Sequence, residues 1–349
     1  MEMPMNPIYV IAEMAWSHDG QEALATKIVT DAKAAGANAI SIHLTHMPDY
    51  MVRHFRTGAG RVSAGHEAKP IFDYLVEINL SDAAWRNVAA VARGTGLDLV
   101  VMPNDPKSLV FSRQLDPTAY VLSAACFEEL DFIADVANEG KPVYLRVGGA
   151  TLGEIETVVN LLRKCGNDKV TLLYGHQNYP TEIADTNLGF LSCLMTTFGL
   201  PVGIADHVSA DDDFAAIAPL LAIPLGISCI EKHITHDRGV KGEDFESALN
   251  GDELKLLVER IRKSEQALGL RHALGLDASS ANYRKNVRKR LVAAHPLKRG
   301  AVIARADILA KRSDDGLFPS DIDLLIGRTL ARDLTLDEGL VLEVLEPKL

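Results

Sequence analysis

Between Ile8 and about Ala267, eight short apolar, β-prone runs recur with amphipathic stretches between them, and this alternation constrains the fold more than any other feature. The runs are 8–12, 39–42, 98–102, 119–122, 143–147, 170–174, 202–205 and 227–231. They are nearly continuous in apolar residues, as strands of a parallel sheet covered on both faces must be. Helical periodicity fills 22–35, 82–95, 127–139, 152–164, 188–198, 211–220 and 252–267. Ser81 is placed to cap a helix start, and Gly36, Gly96 and Gly140 are placed to end helices. The pattern predicts an α/β fold, a (β/α)8 TIM barrel over 1–268, with a doubly wound open sheet as the alternative. No Gly-x-Gly-x-x-Gly or P-loop follows a strand, which weakens nucleotide-binding versions of the open sheet.

After Ala267 the composition shifts. Residues 269–286 are polar and turn-prone and read as a linker, and 287–349 read as a small β-rich domain. Its candidate strands are 291–294, 301–303, 309–311, 324–326 and 340–345. A formal charge of −11 argues against nucleic acid or an anionic membrane as partner, without excluding an anionic substrate in a cleft. Cys126, Cys165, Cys193 and Cys229 lack CxxC spacing and read as reduced thiols. No apolar run approaches membrane-spanning length and Met1–Pro7 does not look like a signal peptide, so the expected location is cytoplasmic.

In such a barrel the chemistry sits at the C-terminal ends of the strands. The last two of those ends each carry a histidine: Val202-Gly203-Ile204-Ala205-Asp206-His207 and Ile230-Glu231-Lys232-His233. Consecutive strands would bring both imidazoles to one rim, where two nitrogen ligands leave open positions for substrate and water. Mn2+, Mg2+, Co2+ or Zn2+ would suit such a donor set. Glu13, His18, Ser41, His43, His46, Asp105, Arg146, His176 and Gln177 fall at other strand ends. Polar groups gathered there need partners or a substrate.

These segments resemble the sialic acid synthases, the family of N-acetylneuraminate, legionaminate and pseudaminate synthases. The resemblance runs through Ile11-Ala12-Glu13, Ser17-His18-Asp19-Gly20, Ala34-Ala35-Gly36-Ala37-Asn38-Ala39, Asn178-Tyr179-Pro180-Thr181, the two histidine segments, and Gly242-Glu243-Asp244. From Arg288-Lys289-Arg290-Leu291-Val292-Ala293 to Leu325-Ile326-Gly327-Arg328 the chain is similar to the antifreeze-like (SAF) domain that follows the barrel. The resemblance implies a condensation of phosphoenolpyruvate with the open aldehyde form of an acylamino sugar. It implies that His207 and His233 hold Mn2+ or a similar ion, acting as a Lewis acid on the aldehyde oxygen. It makes Glu13 the candidate general acid/base, with pairing to a neighbouring rim base as its alternative. Tyr179 and Asp244 would bind the sugar, and Gln177 is a further candidate for binding substrate. It also implies a homodimer with swapped C-terminal domains, in which Arg288 completes the partner's site.

The chain departs from this family where the resemblance places the phosphate and carboxylate of phosphoenolpyruvate. Ser41 and Val121 stand in place of lysines, Arg146 and Ala205 in place of serines, and Cys126 in place of a glutamate. Charge-assisted contacts to an anion contribute ~1.5–3 kcal/mol each. Two lost lysines would therefore weaken phosphate binding by roughly 10²–10⁴-fold unless replaced. Arg146 and His43 are candidate replacements, as is the basic loop with Arg53, Arg56, Arg61 and Lys69. The alternative is a homologue that keeps the metal and aldehyde half but takes another carboxylate donor, with aldolase-like or isomerase chemistry. A sugar-binding protein without catalysis is a third expectation, against which the retained His207, His233 and Glu13 speak.

Overall fold

The computed structural model describes residues 7–54, 70–269 and 275–347. Two compact units divide the chain, Met1–Arg271 and His272–Leu349. In the first, eight parallel strands hydrogen-bond in chain order and close on themselves into a barrel. They are β1 (Tyr9–Glu13), β2 (Ala39–Leu44), β3 (Asp98–Pro103), β4 (Ala119–Ser123), β5 (Val143–Arg146), β6 (Val170–Tyr174), β7 (Val202–Asp206) and β8 (Cys229–His233). The β8–β1 ladder that seals the barrel sets Glu13 opposite His233.

The helices of this unit are α1 (Glu22–Ala35), α2 (Met47–Tyr50), α3 (Ile71–Glu77), α4 (Asp82–Thr95), α5 (Pro106–Ser112), α6 (Leu130–Asn138), α7 (Leu152–Lys164), α8 (Gly189–Phe198), α9 (Ala218–Ala222) and α10 (Gly251–Leu268). Ser81 caps α4 through the Ala84 amide at 3.2 Å, and Gly36 and Gly96 end α1 and α4 in the left-handed conformation. Expected helix 211–220 is instead a 3-10 turn (Asp213–Ala216) and the short α9, because Asp212 caps a turn and Pro219 restarts the helix. Segment 127–139 becomes helical only from Leu130, after a 3-10 turn at Ala124–Cys126. Helix α5 was not among the expected elements; Pro106 at its first turn and Asp105 as cap are its signals.

Period-two alternation divides each strand's side chains between two cores. Outward residues such as Val10, Ile40, Leu122 and Ile230 pack under the helices. Inward residues such as Ile11, Val100, Met102 and Val121 fill the lower barrel. One layer higher the same inward positions turn polar, and that is where the site forms. On the β5–β7 side the backbones themselves are in contact. A Cβ at Gly148 would lie 1.8 Å from the Gly175 carbonyl oxygen, and one at Gly175 would lie 1.7 Å from that of Ala205. Only hydrogen fits there.

The second unit has a helix, α11 (Ala278–Val287), capped by Asp277, within the stretch that composition presents as linker. Two strands follow, β9 (Lys289–Ala293) and β10 (Ile308–Arg312), paired antiparallel. The expected strands at 301–303, 324–326 and 340–345 are not strands. Val302 and Leu345 make only single bridges, while Pro319–Leu324 and Leu342–Val344 are 3-10 turns. Leu291, Ile303, Ile308, Leu325, Leu330 and Leu340 form its core. Arg290 lies over the Phe318 ring at 3.8 Å and Arg288 at 5.9 Å.

Candidate active site at the barrel mouth

His233 ends β8 and His207 follows β7 by one residue, and their rings lie 5.1 Å apart, centroid to centroid. The backbone around them is tied down. The His207 carbonyl accepts from the Thr181 amide at 2.8 Å and the Ser247 hydroxyl at 2.7 Å, and the His233 carbonyl from the Leu249 amide at 2.9 Å. Outward-facing Asp206 and Lys232, the residues just before each histidine, form a fully buried ion pair between the two strands. Tyr179 packs edge-on against both imidazoles, at 4.7 Å from His207 and 5.4 Å from His233. Its hydroxyl donates to Gln177 Oε1 at 3.0 Å, joining two of the expected substrate-binding residues. Asp244, in the left-handed conformation, brings Oδ2 to 4.0 Å from His233 Nδ1.

The donor set fits a divalent cation. Neither ring nitrogen of His233 has a hydrogen-bond partner among the described residues, although the side chain is buried. Burial, then the neighbouring His207 and Arg146, hold its pKa well below the ordinary value, so the ring is neutral as a ligand must be. Another triad, His46, Asp49 and Asp105, brings ligand atoms within 4.8 Å of one another. Asp105 is already satisfied there: it caps α5, accepting from the Ser108 amide and hydroxyl and from the His46 amide at 2.9, 2.6 and 2.7 Å. His46 and Asp49 pair at 3.3 Å.

Below the imidazoles a buried charge cluster spans the barrel. Arg146, at the end of β5, pairs with Glu13 from β1 and, at 2.9 Å, with Glu231 from β8. Burial lowers the guanidinium's basicity, but the two carboxylates outweigh it and keep the cation charged. Burial likewise pushes the Glu13 carboxyl up, yet Arg146, His43 and the Ala15 amide (2.8 Å) together hold it below the ordinary range. Glu231 is pushed up to about 7 by burial, against the pull of Arg146 and with the repulsion of Glu13. One cation cannot fully compensate two buried carboxylates. The sequence contains these three residues at strand ends but not their pairing across the barrel, and Glu231 was not singled out for a role. Its inward register in Cys229-Ile230-Glu231-Lys232-His233 was the available signal.

A cavity of about 440 Å³ adjoins this cluster at His43 and is lined by Met102, Ser123, Cys126 and Asp244 among others. Among the described residues its lining includes no lysine or arginine. Burial pushes the Cys126 thiol up to about 11, which removes it as a nucleophile at neutral pH. Val121 and Ala205 are buried apolar wall, and Ser41 lies beside Glu13 in the β1–β2 register. His176 packs against Tyr174. Arg53 stacks on Phe72, outside this cavity. Arg56, Arg61 and Lys69 lie outside the described residues. Arg288 belongs to the second unit, as the C-cap of α11.

His18 adds a pH dependence. It is wholly buried, accepts from the Gly20 amide at 3.1 Å and stands edge-on to Trp85. Burial, then the neighbouring His43, lowers its pKa from 6.5 to about 3. Below pH 6.5 the unfolded chain takes up this proton before the folded one does, so stability present above 6.5 is lost as pH falls toward 3. Urea unfolding across this window should show a slope of up to ~1.4 kcal/mol per pH unit from this group. His18→Gln should remove that contribution; an unchanged slope refutes the assignment.

Residues 28–273 match the family model described as the NeuB family, and residues 288–345 match the SAF domain. The pseudaminic acid synthase of Campylobacter jejuni subsp. jejuni serotype O:23/36 is 28% identical over 334 residues, with 95% of each chain covered. The N,N'-diacetyllegionaminic acid synthase of Legionella pneumophila is 26% identical over 342 residues, covering 97% of this chain and 94% of the relative. Among crystal structures, a putative spore coat polysaccharide biosynthesis protein E from Chromobacterium violaceum superposes with a TM-score of 0.75 at 17% identity, covering 98% of this chain and all (100%) of that one. The N-acetylneuraminic acid synthetase of Leptospira borgpetersenii, in complex with citrate, gives 0.68 at 24% identity over 81% of this chain and 93% of that one. These two structures speak for the fold.

Proposed function

Because the chain belongs to the NeuB family, we propose that it is a nonulosonic acid synthase that joins a three-carbon carboxylate donor to the open aldehyde form of an acylamino sugar. The observation that carries this reading is the convergence of His207 and His233 at 5.1 Å under Tyr179, with Asp244 beside them at the mouth. With phosphoenolpyruvate as donor, its C3 bonds to the aldehyde carbon, water adds at C2, and phosphate leaves. The product is a 2-keto acid three carbons longer than the sugar.

His207 and His233 would hold a divalent ion, Mn2+ ahead of Mg2+, Co2+ or Zn2+, which supplies Lewis acidity toward the aldehyde oxygen. Tyr179, Gln177 and Asp244 orient the sugar's hydroxyl and acylamino groups. Glu13 stays a carboxylate at neutral pH and is the base of the buried cluster, with Arg146 fixing its position. The same reading includes a homodimer in which the C-terminal unit of one copy, carrying Arg288, completes the site of the other.

One observation favours a second reading, in which the donor is not phosphoenolpyruvate. Arg146 is committed to Glu13 and Glu231, and no arginine or lysine among the described residues lines the cavity. A trianionic donor would then lack a counter-charge within this cavity. The test supplies metal-loaded protein with phosphoenolpyruvate and a panel of N-acylated hexosamines. Phosphate and a new keto acid appearing in equal amounts support the first reading. A keto acid formed only from pyruvate or another carboxylate, without phosphate, replaces it with the second.

A further inference from the structure

We propose that His43 presents its Nδ1–H to the cavity as a hydrogen-bond donor to a substrate oxygen, in a tautomer imposed by Arg146. The proposal rests on the barrel mouth being the substrate site, as in the function proposed above.

Position selects this residue. Glu13, Arg146 and Glu231 are sealed beneath the mouth, with side-chain exposures of 0%, 3% and 1%. His43, two residues after Ser41 on the inner face of β2, lines the cavity and keeps 11% of its side chain exposed. Of the four clustered residues it is the one that reaches whatever fills the cavity.

Chemistry selects the tautomer. His43 Nε2 points into the cluster, 3.5 Å from Arg146 Nη1 and 3.3 Å from Glu13 Oε1. A guanidinium has five N–H donors and no acceptor. Its hydrogen bond to Nε2 therefore requires that nitrogen to carry no proton. Glu13 Oε1 lies nearer but meets the ring as a neighbouring charge and not in hydrogen-bond geometry; it accepts from the Ala15 amide at 2.8 Å, and Oε2 accepts from Arg146. The ring proton is then on Nδ1, the nitrogen left for the cavity.

The surroundings keep the ring uncharged. Burial pushes its pKa down to about 4, against the pull of Glu13 and with the help of Arg146. Glu13 from β1 and Arg146 from β5 are the charged groups facing it, and His18 and His233 feel it at longer range. Such an imidazole polarises a carbonyl, carboxylate or hydroxyl oxygen without giving up its proton. It would reject an ammonium group at the same position, which has no acceptor to offer.

Nitrogen-15 NMR of histidine-labelled full-length protein, assigned against His43→Asn, reads the tautomer directly. The expected result is a protonated Nδ1 and a bare Nε2 that stay so until the pH approaches 4. A resting Nε2–H form overturns the proposal. Turnover supplies a second arm. The asparagine amide nitrogen lies where Nδ1 does, so His43→Asn should keep at least about a tenth of kcat/KM, whereas His43→Phe should lose ~10²-fold. Equal losses in the two variants also overturn the donor role. Absence of any condensation by the unmodified protein would instead sink the proposed function, and the NMR result would still decide the tautomer.

Discussion

Replacing His207 with alanine should strip the barrel mouth of its divalent ion and lower turnover by roughly 10³-fold, since a Lewis acid supplies several kcal/mol of transition-state stabilisation. Two imidazoles are the principal donors proposed at that point, and among the described residues no third histidine packs against the pair in the way Tyr179 does. Bound metal after dialysis, measured by elemental analysis, is the primary readout, and His233→Ala should behave alike. His46→Ala is the control. It removes one member of the alternative triad with Asp49 and Asp105, whose buried carboxylate is already saturated by α5. Metal retained in His207→Ala but lost in His46→Ala would move the ion to that triad and remove the basis of the proposed chemistry.

Arg146→Met should cost about 3–5 kcal/mol of folding stability, the range for stripping one partner from a buried ion pair. Methionine fills much of the volume, so the cost is electrostatic: Glu13 and Glu231 remain as buried neighbours on the paired strands β1 and β8 with no cation between them. Urea unfolding measures it, and a change under 1 kcal/mol, the scale of a surface pair, would refute the interior role. The dependence on pH has a definite sign. Glu231 titrates at about 7 in the folded protein against 4.5 as its ordinary value. The folded state therefore binds the proton more tightly, and stability is fully present below 4.5 and lost as pH rises through about 7. Without Arg146 that loss should be steeper and extend to higher pH. Glu231→Gln in the same background should recover part of it.

The barrel was legible because its signal repeats. Eight apolar runs at similar spacing leave few alternatives; α1 and α4 lie where periodicity and caps placed them, and α7 where periodicity did. The site was legible one strand end at a time. His207, His233, Glu13 and Arg146 stand out as polar residues finishing apolar runs, yet which of them touch depends on the stagger of strands around a closed sheet. Nothing in the local sequence of β5 says that its last residue reaches both β1 and β8. Short elements were harder for a different reason. In α5 and α11 the cap residues Asp105 and Asp277 look the same as turn residues until the helix behind them is seen. In the second unit, Leu345 joins a small core through a single bridge to Leu330 and the exposed Val302 makes a single bridge to Thr329, and alternation over so few residues cannot separate strand from turn.

The bare backbone contact from Gly148 through Gly175 to Ala205 bears on how this protein's preferences can change. At those two glycines no mutation can add a side chain without first prying strands apart, so both positions are closed to incremental remodelling. Variation in what fills the cavity has room on the opposite arc, where β2, β3 and β4 bring His43, Met102 and Ser123 to its lining. A directed library confined to those three positions should therefore yield more folded members than one of equal size confined to 148 and 175.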